Sequence, residues 1–336
     1  MTTVTQTMKR PPRLDLARLP TPLRRMERTH AAKNVEMWVK RDDLTGSTLS
    51  GNKIRKLEYL LAQAQAEGAD TIVTCGGEQS NHCRATAVAA VELGMRPYLL
   101  LRTEDPSRPP ATEANILLDR LVGAEIRWVS RPEYARRAEL FVEVADALRA
   151  AGRRPYLIPE GGSNALGAWG YIDAVEELAK ELGPGKATLV YAAGSGGTGA
   201  GLILGVKLLG LPWRVVGINV CDDRDYFVRV IGEIIEAAIT EYELSLAFER
   251  SEIEILDGYV GAGYAKSRPE ELAALRDLAR SEGLILDPVY TGKAWYGLQQ
   301  QLSLGTSLGE RLVFLHTGGI YGLFTDGKQA ELSPLL

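Results

Sequence analysis

The sequence predicts an α/β protein made of two three-layer domains, each built on a mostly parallel sheet. Short apolar segments alternate with longer segments that carry apolar residues at helical spacing, and this alternation is typical of strands joined by helical crossovers. A second alternating series begins near position 165. The length of 336 residues exceeds one ordinary core. Together these observations favour two sheets with a cleft between them.

The elements follow one another along the chain in a regular order. A loose arm is expected over 1–13, and the two prolines of Leu19-Pro20-Thr21-Pro22 indicate a fixed turn. Strands are predicted where short apolar or alternating runs occur, at 36–40, 71–75, 96–101, 125–129, 155–159, 188–192, 214–219 and 311–315. Helices are predicted from a 3.6-residue apolar period, starting at 53 and over 84–93, 112–122, 134–151, 167–182, 199–209, 226–244, 269–282 and 292–302.

Composition and charge exclude several classes of function. Hydrophobic residues make up 45% and charged residues 24%, as in an average soluble globular protein. A net charge of -4 argues against nucleic acid or an anionic membrane as the main partner, since both call for a concentrated basic face. No apolar stretch is long enough for a membrane span, and the first residues lack a signal-peptide core. Three cysteines without metal-ligand spacing favour a cytoplasmic protein with no metal site.

Lys53 is the residue around which the functional hypothesis is built. It follows the polar run Ser50-Gly51-Asn52 and opens a helix whose apolar residues share one face. One interpretation is an ordinary solvated lysine. The other is an amine whose pKa is lowered by burial and by the neighbouring cations Arg55 and Lys56, so that it can bond covalently to an aldehyde. The motif alone leaves both open.

The segment Ala193-Gly194-Ser195-Gly196-Gly197-Thr198-Gly199 follows a predicted strand and opens a helix. Glycines let backbone N–H groups converge on an anion, and the helix N-terminus adds partial positive charge, so a phosphate site is favoured over a plain tight turn. No Gly-Lys-Ser/Thr follows, which excludes a P-loop, and Gly217-Ile218-Asn219 replaces the acid expected of a dinucleotide site.

Four further turns carry polar residues at the ends of predicted elements. In Gly76-Gly77-Glu78-Gln79-Ser80-Asn81-His82, Ser80 or Asn81 is expected to cap a helix or to help hold a substrate carboxylate, and His82 is interpreted as a supporting residue. The other turns are 257–264, which is rich in glycine, 287–293, which is expected to end a strand and cap a helix, and 316–319 after the last strand.

Taken in order, these motifs resemble the pyridoxal-phosphate enzymes of the 1-aminocyclopropane-1-carboxylate deaminase and D-cysteine desulfhydrase family. The motifs that carry the resemblance are Gly51-Asn52-Lys53, Gln79-Ser80-Asn81-His82, the loop 194–199, Asp287-Pro288-Val289-Tyr290 and His316-Thr317-Gly318-Gly319. The resemblance implies a tryptophan-synthase-β-like fold with pyridoxal 5'-phosphate as cofactor. It further implies a small inserted domain at 54–164, a large cofactor-binding domain from 1–53 and 165–336, and a homodimer.

The resemblance also implies roles for individual residues. Lys53 would hold the cofactor aldehyde and move the Cα proton. Asn81 would meet the ring hydroxyl of the cofactor, Ser80 would contact the substrate and is a candidate proton acceptor, and Tyr264 and Tyr290 would lie over the active site. The further cofactor-binding positions implied are Asn52, Gly194, Ser195, Gly196, Gly197, Thr198, Thr317 and Thr291, and the further substrate-binding positions are Gln79, Asn81 and His82.

Two threonines favour elimination over ring opening. Where this chain has Thr291 and Thr317, the deaminases have Glu and Leu, respectively. The desulfhydrases have threonine at both positions, as this chain does. A carboxylate beside the pyridine nitrogen would deepen the electron sink, and β-elimination of a good leaving group needs less from the ring. The resemblance therefore favours a lyase that acts on a small amino acid, D-cysteine first. It leaves open which of the two threonines faces that nitrogen.

Several alternatives stay open at this point. Deamination of 1-aminocyclopropane-1-carboxylate and elimination from another β-substituted alanine such as L-cysteate belong to the same chemistry. Departures from the family pattern at Glu78, Tyr321 and Asp326 leave the substrate side chain open, and an acid at 78 would disfavour anionic substrates if it faced the pocket. A different class is a non-catalytic phosphate- or nucleotide-binding α/β protein, in which Lys53 only touches the phosphate.

Overall fold

A computed structural model describes residues 10–29 and 35–336 of the chain. The strands are β1 Leu23–Arg25, β2 Glu36–Lys40, β3 Thr71–Gly77, β4 Arg96–Arg102, β5 Glu125–Val129, β6 Pro155–Leu157, β7 Ala187–Ala193, β8 Trp213–Asn219, β9 Glu254–Leu256 and β10 Arg311–Leu315. The helices are α1 Lys53–Ala66, α2 Asn81–Glu92, α3 Ala114–Leu121, α4 Arg131–Ala135, α5 Arg137–Ala150, α6 Ala165–Leu182, α7 Gly197–Leu208, α8 Arg224–Glu241, α9 Pro269–Glu282, α10 Thr291–Ser303 and α11 Asp326–Leu332.

The strands form two sheets, and the α/β class is as predicted. A six-stranded sheet has the order β1-β2-β10-β7-β8-β9, and a four-stranded sheet has the order β5-β4-β3-β6. All pairings are parallel except that of β1 with β2. The strands of the smaller sheet all lie between positions 71 and 157.

Both faces of the larger sheet are covered by helices. Alternate residues of β7 point to opposite sides, so Leu189 packs with the apolar faces of α6, α7 and α8, whereas Val190 packs with α9 and α10. Helix α1 shares the first of these cores, so the helix that carries Lys53 packs against the large sheet's helices. The assignment of 54–164 to a separate domain stays a prediction.

Most differences from the expected elements lie at helix ends, where polar side chains cap the first turn. Ser80, Asn164 and Asp223 each accept a backbone N–H, and they start α2, α6 and α8 two or three residues earlier than predicted. The single helix expected over 134–151 is wrong, because Ser130 and Glu133 form a capping box that starts a separate short helix, α4.

Other expectations also needed correction. The strand expected before Asp287 is absent, since residues 283–287, all of them described, pair with no other strand. The three-residue strands β1 and β9 were not predicted. Of the arm expected over 1–13, residues 1–9 lie outside the described residues, and Arg10 and Arg13 are tied to α6 by ion pairs with Asp173 at 2.9 and 3.0 Å. Across the described residues, no helix has both the length and the apolar character needed to span a membrane.

Candidate active site

A recess that is partly open to solvent lies where the carboxyl ends of β3, β7 and β10 approach the start of α1. This is the side of parallel sheets on which ligands bind in open α/β folds. It brings together most of the residues singled out in the sequence, and its walls include Asn52, Lys53, Ser80, Asn81, His82, Gly194, Ser195, Gly196, Thr198, Tyr264, Tyr290 and Thr317.

Three predicted site residues do not line this recess. The side chain of Gln79 is hydrogen-bonded to the main chain of α3, where its Oε1 accepts the N–H of Asn115 at 2.9 Å. Gly197 turns its N–H toward Ser163 Oγ at 3.2 Å. Thr291 is fully buried, and its hydroxyl donates to Asp287 at 2.6 Å. Of the two threonines left open by the sequence, Thr317 is therefore the one at the recess.

A buried ionic network fixes the helix that begins with Lys53. Arg55, two residues further on, donates to the carboxylate of Asp42 at 2.8 and 2.9 Å and to that of Glu177 on α6 at 2.8 and 3.0 Å. The carboxylate of Asp42 also accepts hydrogen bonds from the hydroxyls of Thr21 and Tyr171. Such a fully paired network gives the start of α1 one defined position.

The amine of Lys53 has no hydrogen-bond partner among the described residues. Burial disfavours the charged form and lowers its pKa to about 8, against the carboxylate of Glu160, which raises it. The sequence had suggested that Arg55 and Lys56 would lower this pKa. That part was wrong, because neither cation is a cause of the lowering. Asp42 and Glu177 neutralise the charge of Arg55, and burial lowers the pKa of Lys56 itself.

The glycine loop after β7 has the form expected of an anion cradle. Gly196 has a φ of +86°, and a Cβ there would lie 2.9 Å from Val230, so the position requires glycine. Helix α7 begins directly after it, which aims the free N–H groups of the first turn toward the recess. Hydroxyls surround the loop: Asn52 Nδ2 donates to Thr198 Oγ1 at 3.1 Å, and Ser163 Oγ lies 3.0 Å from Ser195 Oγ.

Lys56 and Ser163 were not singled out as site residues from the sequence. Lys56 is fully buried, and its amine donates to Gly161 O at 3.2 Å and to Ser163 Oγ at 3.4 Å, directly below Gly197. Burial, followed by the nearby charge of Lys53, lowers the pKa of Lys56 well below its ordinary value. An amine with no carboxylate partner among the described residues is thus available beneath the loop to take up a proton beside a bound anion. The feature of the sequence that could have identified Lys56 is its position about one helical turn after Lys53.

The turn between β3 and α2 caps a helix, as one of its two interpretations predicted, and it also lines the recess. Ser80 caps α2, since its Oγ accepts the N–H of Cys83 at 3.2 Å, and its own O–H is still free to donate into the recess. A Cβ at Gly76 would lie 2.4 Å from that oxygen, which explains the glycine. Asn81 accepts from Asn115 at 3.1 Å, an arrangement that leaves the Asn81 amide N–H groups for a ligand.

His82 lies in the wall of the recess, as expected, but as a neutral ring. Burial lowers its pKa well below the ordinary value, and the nearby charges of Lys53 and Lys56 act in the same direction. The hydroxyl of Thr74 donates to Ile158 O, so the Nε2 of His82, 2.8 Å from that hydroxyl, is the donor of their hydrogen bond. This arrangement fits a supporting residue better than a base.

Tyr264 and Tyr290 form a hydrogen-bonded pair at the mouth of the recess, with 2.6 Å between their oxygens. Burial raises the pKa of Tyr264 to about 12, although the bond to Tyr290 and the Arg102 guanidinium, 5.3 Å from the Tyr264 ring, act to lower it. Burial, followed by the neighbouring Tyr264, also raises the pKa of Tyr290. Both hydroxyls are therefore protonated at neutral pH, and either can be the donor in the pair.

The acidic and aromatic residues that depart from the family pattern lie away from the recess. Glu78 accepts the hydroxyl of Thr103 at 3.1 Å, the hydroxyl of Tyr321 donates to Ser47 O at 3.1 Å, and Asp326 begins α11. The carboxylate that does belong to the described wall is Glu160, which the sequence did not reveal, and it pairs with Arg137 at 3.4 Å.

Comparison with known proteins agrees with this geometry. The profile of the family described as "Pyridoxal-phosphate dependent enzyme" matches residues 14–318. The chain belongs to the pyridoxal-phosphate dependent enzyme family. Its recess fits the cofactor of that family, because an unpaired amine with a lowered pKa and a glycine cradle for an anion open into the same space.

Within the pyridoxal-phosphate dependent enzymes, the chain falls in the group with 1-aminocyclopropane-1-carboxylate deaminases and D-cysteine desulfhydrases. It is 42% identical to the bifunctional D-cysteine desulfhydrase/1-aminocyclopropane-1-carboxylate deaminase, mitochondrial, of Arabidopsis thaliana, over 94% of this chain and 80% of that protein. It is 38% identical to the D-cysteine desulfhydrase of Klebsiella pneumoniae strain 342, over 95% and 97%. A solved 1-aminocyclopropane-1-carboxylate deaminase homologue superposes with a TM-score of 0.86 at 38% identity, covering 97% of both chains.

Proposed function

We propose that the protein is a lyase that converts D-cysteine and water to pyruvate, hydrogen sulfide and ammonia. The observation that carries this proposal is the placement of Thr317 at the recess while Thr291 is bound to Asp287. The Thr317 hydroxyl has no hydrogen-bond partner among the described residues. It can therefore contact the cofactor ring as a neutral group, without placing a full negative charge beside the ring. A neutral group there suits loss of a good leaving group.

The residues present divide the work of holding the cofactor. Gly194, Ser195 and Thr198, with the N-terminus of α7, would bind its phosphate, and Lys53 would bind its aldehyde. Asn81 would donate to its ring hydroxyl. When bound, pyridoxal phosphate supplies an electron sink for the charge left on Cα.

Side chains of the protein would accept and donate the protons of the reaction. The amine of Lys53, with a pKa of about 8, is close to the pH at which a general base is most effective, and we assign it removal of the Cα proton. Ser80, whose O–H is not used by the cap, would donate to the substrate carboxylate. Tyr264, whose ring lies 5.3 Å from the Arg102 guanidinium, would give a proton to the departing sulfur, and Tyr290 would hold it in place.

The relatives' names support a second candidate, deamination of 1-aminocyclopropane-1-carboxylate. A putative 1-aminocyclopropane-1-carboxylate deaminase of Thermotoga maritima is 43% identical over 94% of this chain. L-cysteate stays a third substrate for testing, because Glu78 is bound to Thr103 and does not line the recess.

Product analysis separates these candidates. The purified enzyme is assayed with D- and L-cysteine, β-chloroalanine, cysteate and the cyclopropane acid, and pyruvate, 2-oxobutyrate, sulfide and sulfite are measured separately. We expect pyruvate and sulfide from D-cysteine, with the largest kcat/KM of the set. Lys53→Ala should lose both the turnover and the near-visible absorbance of the bound cofactor. Wild-type turnover in that variant, or 2-oxobutyrate as the main product, would contradict the proposal.

A further inference from the structure

The loop that carries Tyr264 has little structure of its own. Residues 257–268, all of them described, form neither a helix nor a strand, and Gly258, Gly261 and Gly263 have positive φ angles. Such a segment pays a large conformational entropy to adopt one shape. Yet it must place one side chain within hydrogen-bond distance of Tyr290. Something outside the loop has to hold it.

Lys293 binds the loop 257–268 through two of its main-chain carbonyls. This lysine on α10 is 0% exposed, and its ammonium donates to Val260 O at 2.6 Å and to Gly263 O at 2.8 Å. The second of these carbonyls immediately precedes Tyr264. Both bonds are short, as expected when the donor is charged.

No carboxylate lies within ion-pair distance of Lys293 among the described residues. Glu271, which raises the pKa of Lys293 against the larger lowering effect of burial, is itself bound to Arg268 at 2.9 Å. A buried ammonium is costly unless it is compensated, and here the compensation comes from the two loop carbonyls. The buried ammonium is therefore well compensated only in the loop conformation that brings both carbonyls to it.

The position of Lys293 also relates the loop to the second tyrosine. Tyr290 is the residue that precedes α10, and its N–H donates to the buried Asp287 at 2.9 Å. Lys293 lies in the first turn of the same helix. One helix start thus fixes Tyr290 through its main chain and Tyr264 through the lysine, and the two hydroxyls then meet.

We propose that Lys293 is a positioning residue for the Tyr264–Tyr290 pair, acting by binding the carbonyls of Val260 and Gly263. It touches neither of the tyrosine hydroxyls, and its effect on turnover passes through Tyr264. This effect on turnover rests on the proposed function, whereas the effect on the loop does not.

Two variants provide a matched comparison. Lys293→Met removes the charge and both hydrogen bonds at nearly constant volume. Lys328→Met removes a second buried lysine nearby, whose amine binds, in the part of the chain that the structure describes, the hydroxyl of Ser267 at 3.2 Å and the carboxylate of Glu331 at 2.6 Å. Hydrogen exchange of the cofactor-free chain should rise about tenfold or more at residues 260–266 in Lys293→Met, and stay at the wild-type rate there in Lys328→Met. Unchanged exchange in Lys293→Met would overturn the proposal.

A double-mutant cycle tests the route of the effect in the holoenzyme. Lys293→Met should lower kcat/KM about tenfold or more in the wild-type chain but less than about twofold in a Tyr264→Phe background, since the residue it positions is already disabled. An equal loss in both backgrounds would show a general structural role and overturn the proposal. If Lys293→Met does not fold, Lys293→Gln, which removes the charge and is too short to reach both carbonyls as the lysine does, takes its place in both experiments. A wild-type enzyme inactive on every substrate would refute the proposed function, and the exchange result would still decide this one.

Discussion

The hydroxyl of Thr291 donates to the buried carboxylate of Asp287 at 2.6 Å, and the same carboxylate accepts three main-chain N–H groups. Asp287 therefore organises the turn that begins α10, and Thr291 belongs to that turn. Although burial raises the pKa of Asp287, its four donors act to lower it. Thr291, which the resemblance sets against a glutamate of the deaminases, is held in this turn by its hydrogen bond to Asp287.

This relationship predicts that Thr291→Val will reduce stability without changing substrate preference. Removing one donor from a buried carboxylate should lower the free energy of unfolding by about 1–3 kcal/mol. Urea denaturation measures the loss, and the ratio of kcat/KM for D-cysteine to that for the cyclopropane acid measures preference. Thr291→Ser keeps the hydroxyl and is the control. A changed ratio with unchanged stability would contradict the assignment.

Thr317 should behave in the opposite way. It lines the recess, and its hydroxyl is not used by the fold among the described residues, so Thr317→Val should leave the free energy of unfolding within about 0.5 kcal/mol. The loss should instead appear as about a tenfold fall in kcat/KM for D-cysteine, the size expected when one hydrogen bond to a bound group is removed. Thr317→Ser, which retains the hydroxyl, should recover most of the activity. Equal activity of the valine and serine variants would exclude a role for the hydroxyl.

The sequence was sufficient for the α/β class, most of the helices and the group of loops at the recess, because alternation, glycine turns and caps are local signals. It missed the strands β1 and β9, which are three residues long and too short to show alternation. The split of the helix over 134–151 was recoverable, since Ser130 and Glu133 have capping-box spacing.

Contacts between distant parts of the chain could not be predicted in the same way. Lys56 is linked to the glycine loop 194–199 through Ser163, which is 107 positions away from it. Lys293 binds the loop 257–268 through Val260, 33 positions away. A lone lysine on a helix gives no sign of either partner. The same limit explains the error over Arg55, whose charge is cancelled by Glu177, 122 positions away.

The lowered pKa of Lys53 predicts unusual reactivity in the cofactor-free protein. Because burial disfavours the ammonium, the proton leaves near pH 8, and the nucleophilic amine should be fully formed above that pH. At pH 7 the fraction of free amine should exceed that of an ordinary lysine by about two orders of magnitude. Trace acetylation from pH 6 to 11, followed by mass spectrometry, gives the midpoint, with the exposed Lys186 as internal reference. A Lys53 midpoint above pH 10 would contradict the assigned environment.

Lys56 should matter for ligands with a phosphate and not for ligands without one. Its amine lies beneath Gly197 and has no carboxylate partner among the described residues, so a bound phosphate would favour its protonated form. Lys56→Met should weaken pyridoxal phosphate by about tenfold or more, consistent with loss of one charged hydrogen-bond donor, and leave the affinity for pyridoxal nearly unchanged. Calorimetry in buffers of different ionisation enthalpy should show proton uptake on phosphate binding in the wild type only. An equal loss of affinity for both ligands would indicate general damage.

Asp119 on α3 predicts a pH dependence of stability far from the recess. Its side chain is 0% exposed, and neither carboxylate oxygen has a hydrogen-bond partner among the described residues. Burial raises its pKa from 3.8 to about 7, although Arg84 acts to lower it. The folded state therefore holds this proton more tightly than the unfolded state, so the stability that Asp119 contributes below about pH 4 is lost as the pH rises toward 7.

Asp119→Asn removes this dependence while keeping the shape of the side chain. Relative to wild type, the variant should gain up to about 4 kcal/mol of unfolding free energy between pH 4 and pH 7, the equivalent of the pKa change at 1.36 kcal/mol per unit. Urea unfolding at pH 5 and at pH 7.5 measures the difference, and Asp146→Asn, at an exposed carboxylate on α5, controls for the loss of one negative charge. If the two variants show the same change with pH, Asp119 is ionised in the fold at little cost, and the Arg84 guanidinium compensates for its burial.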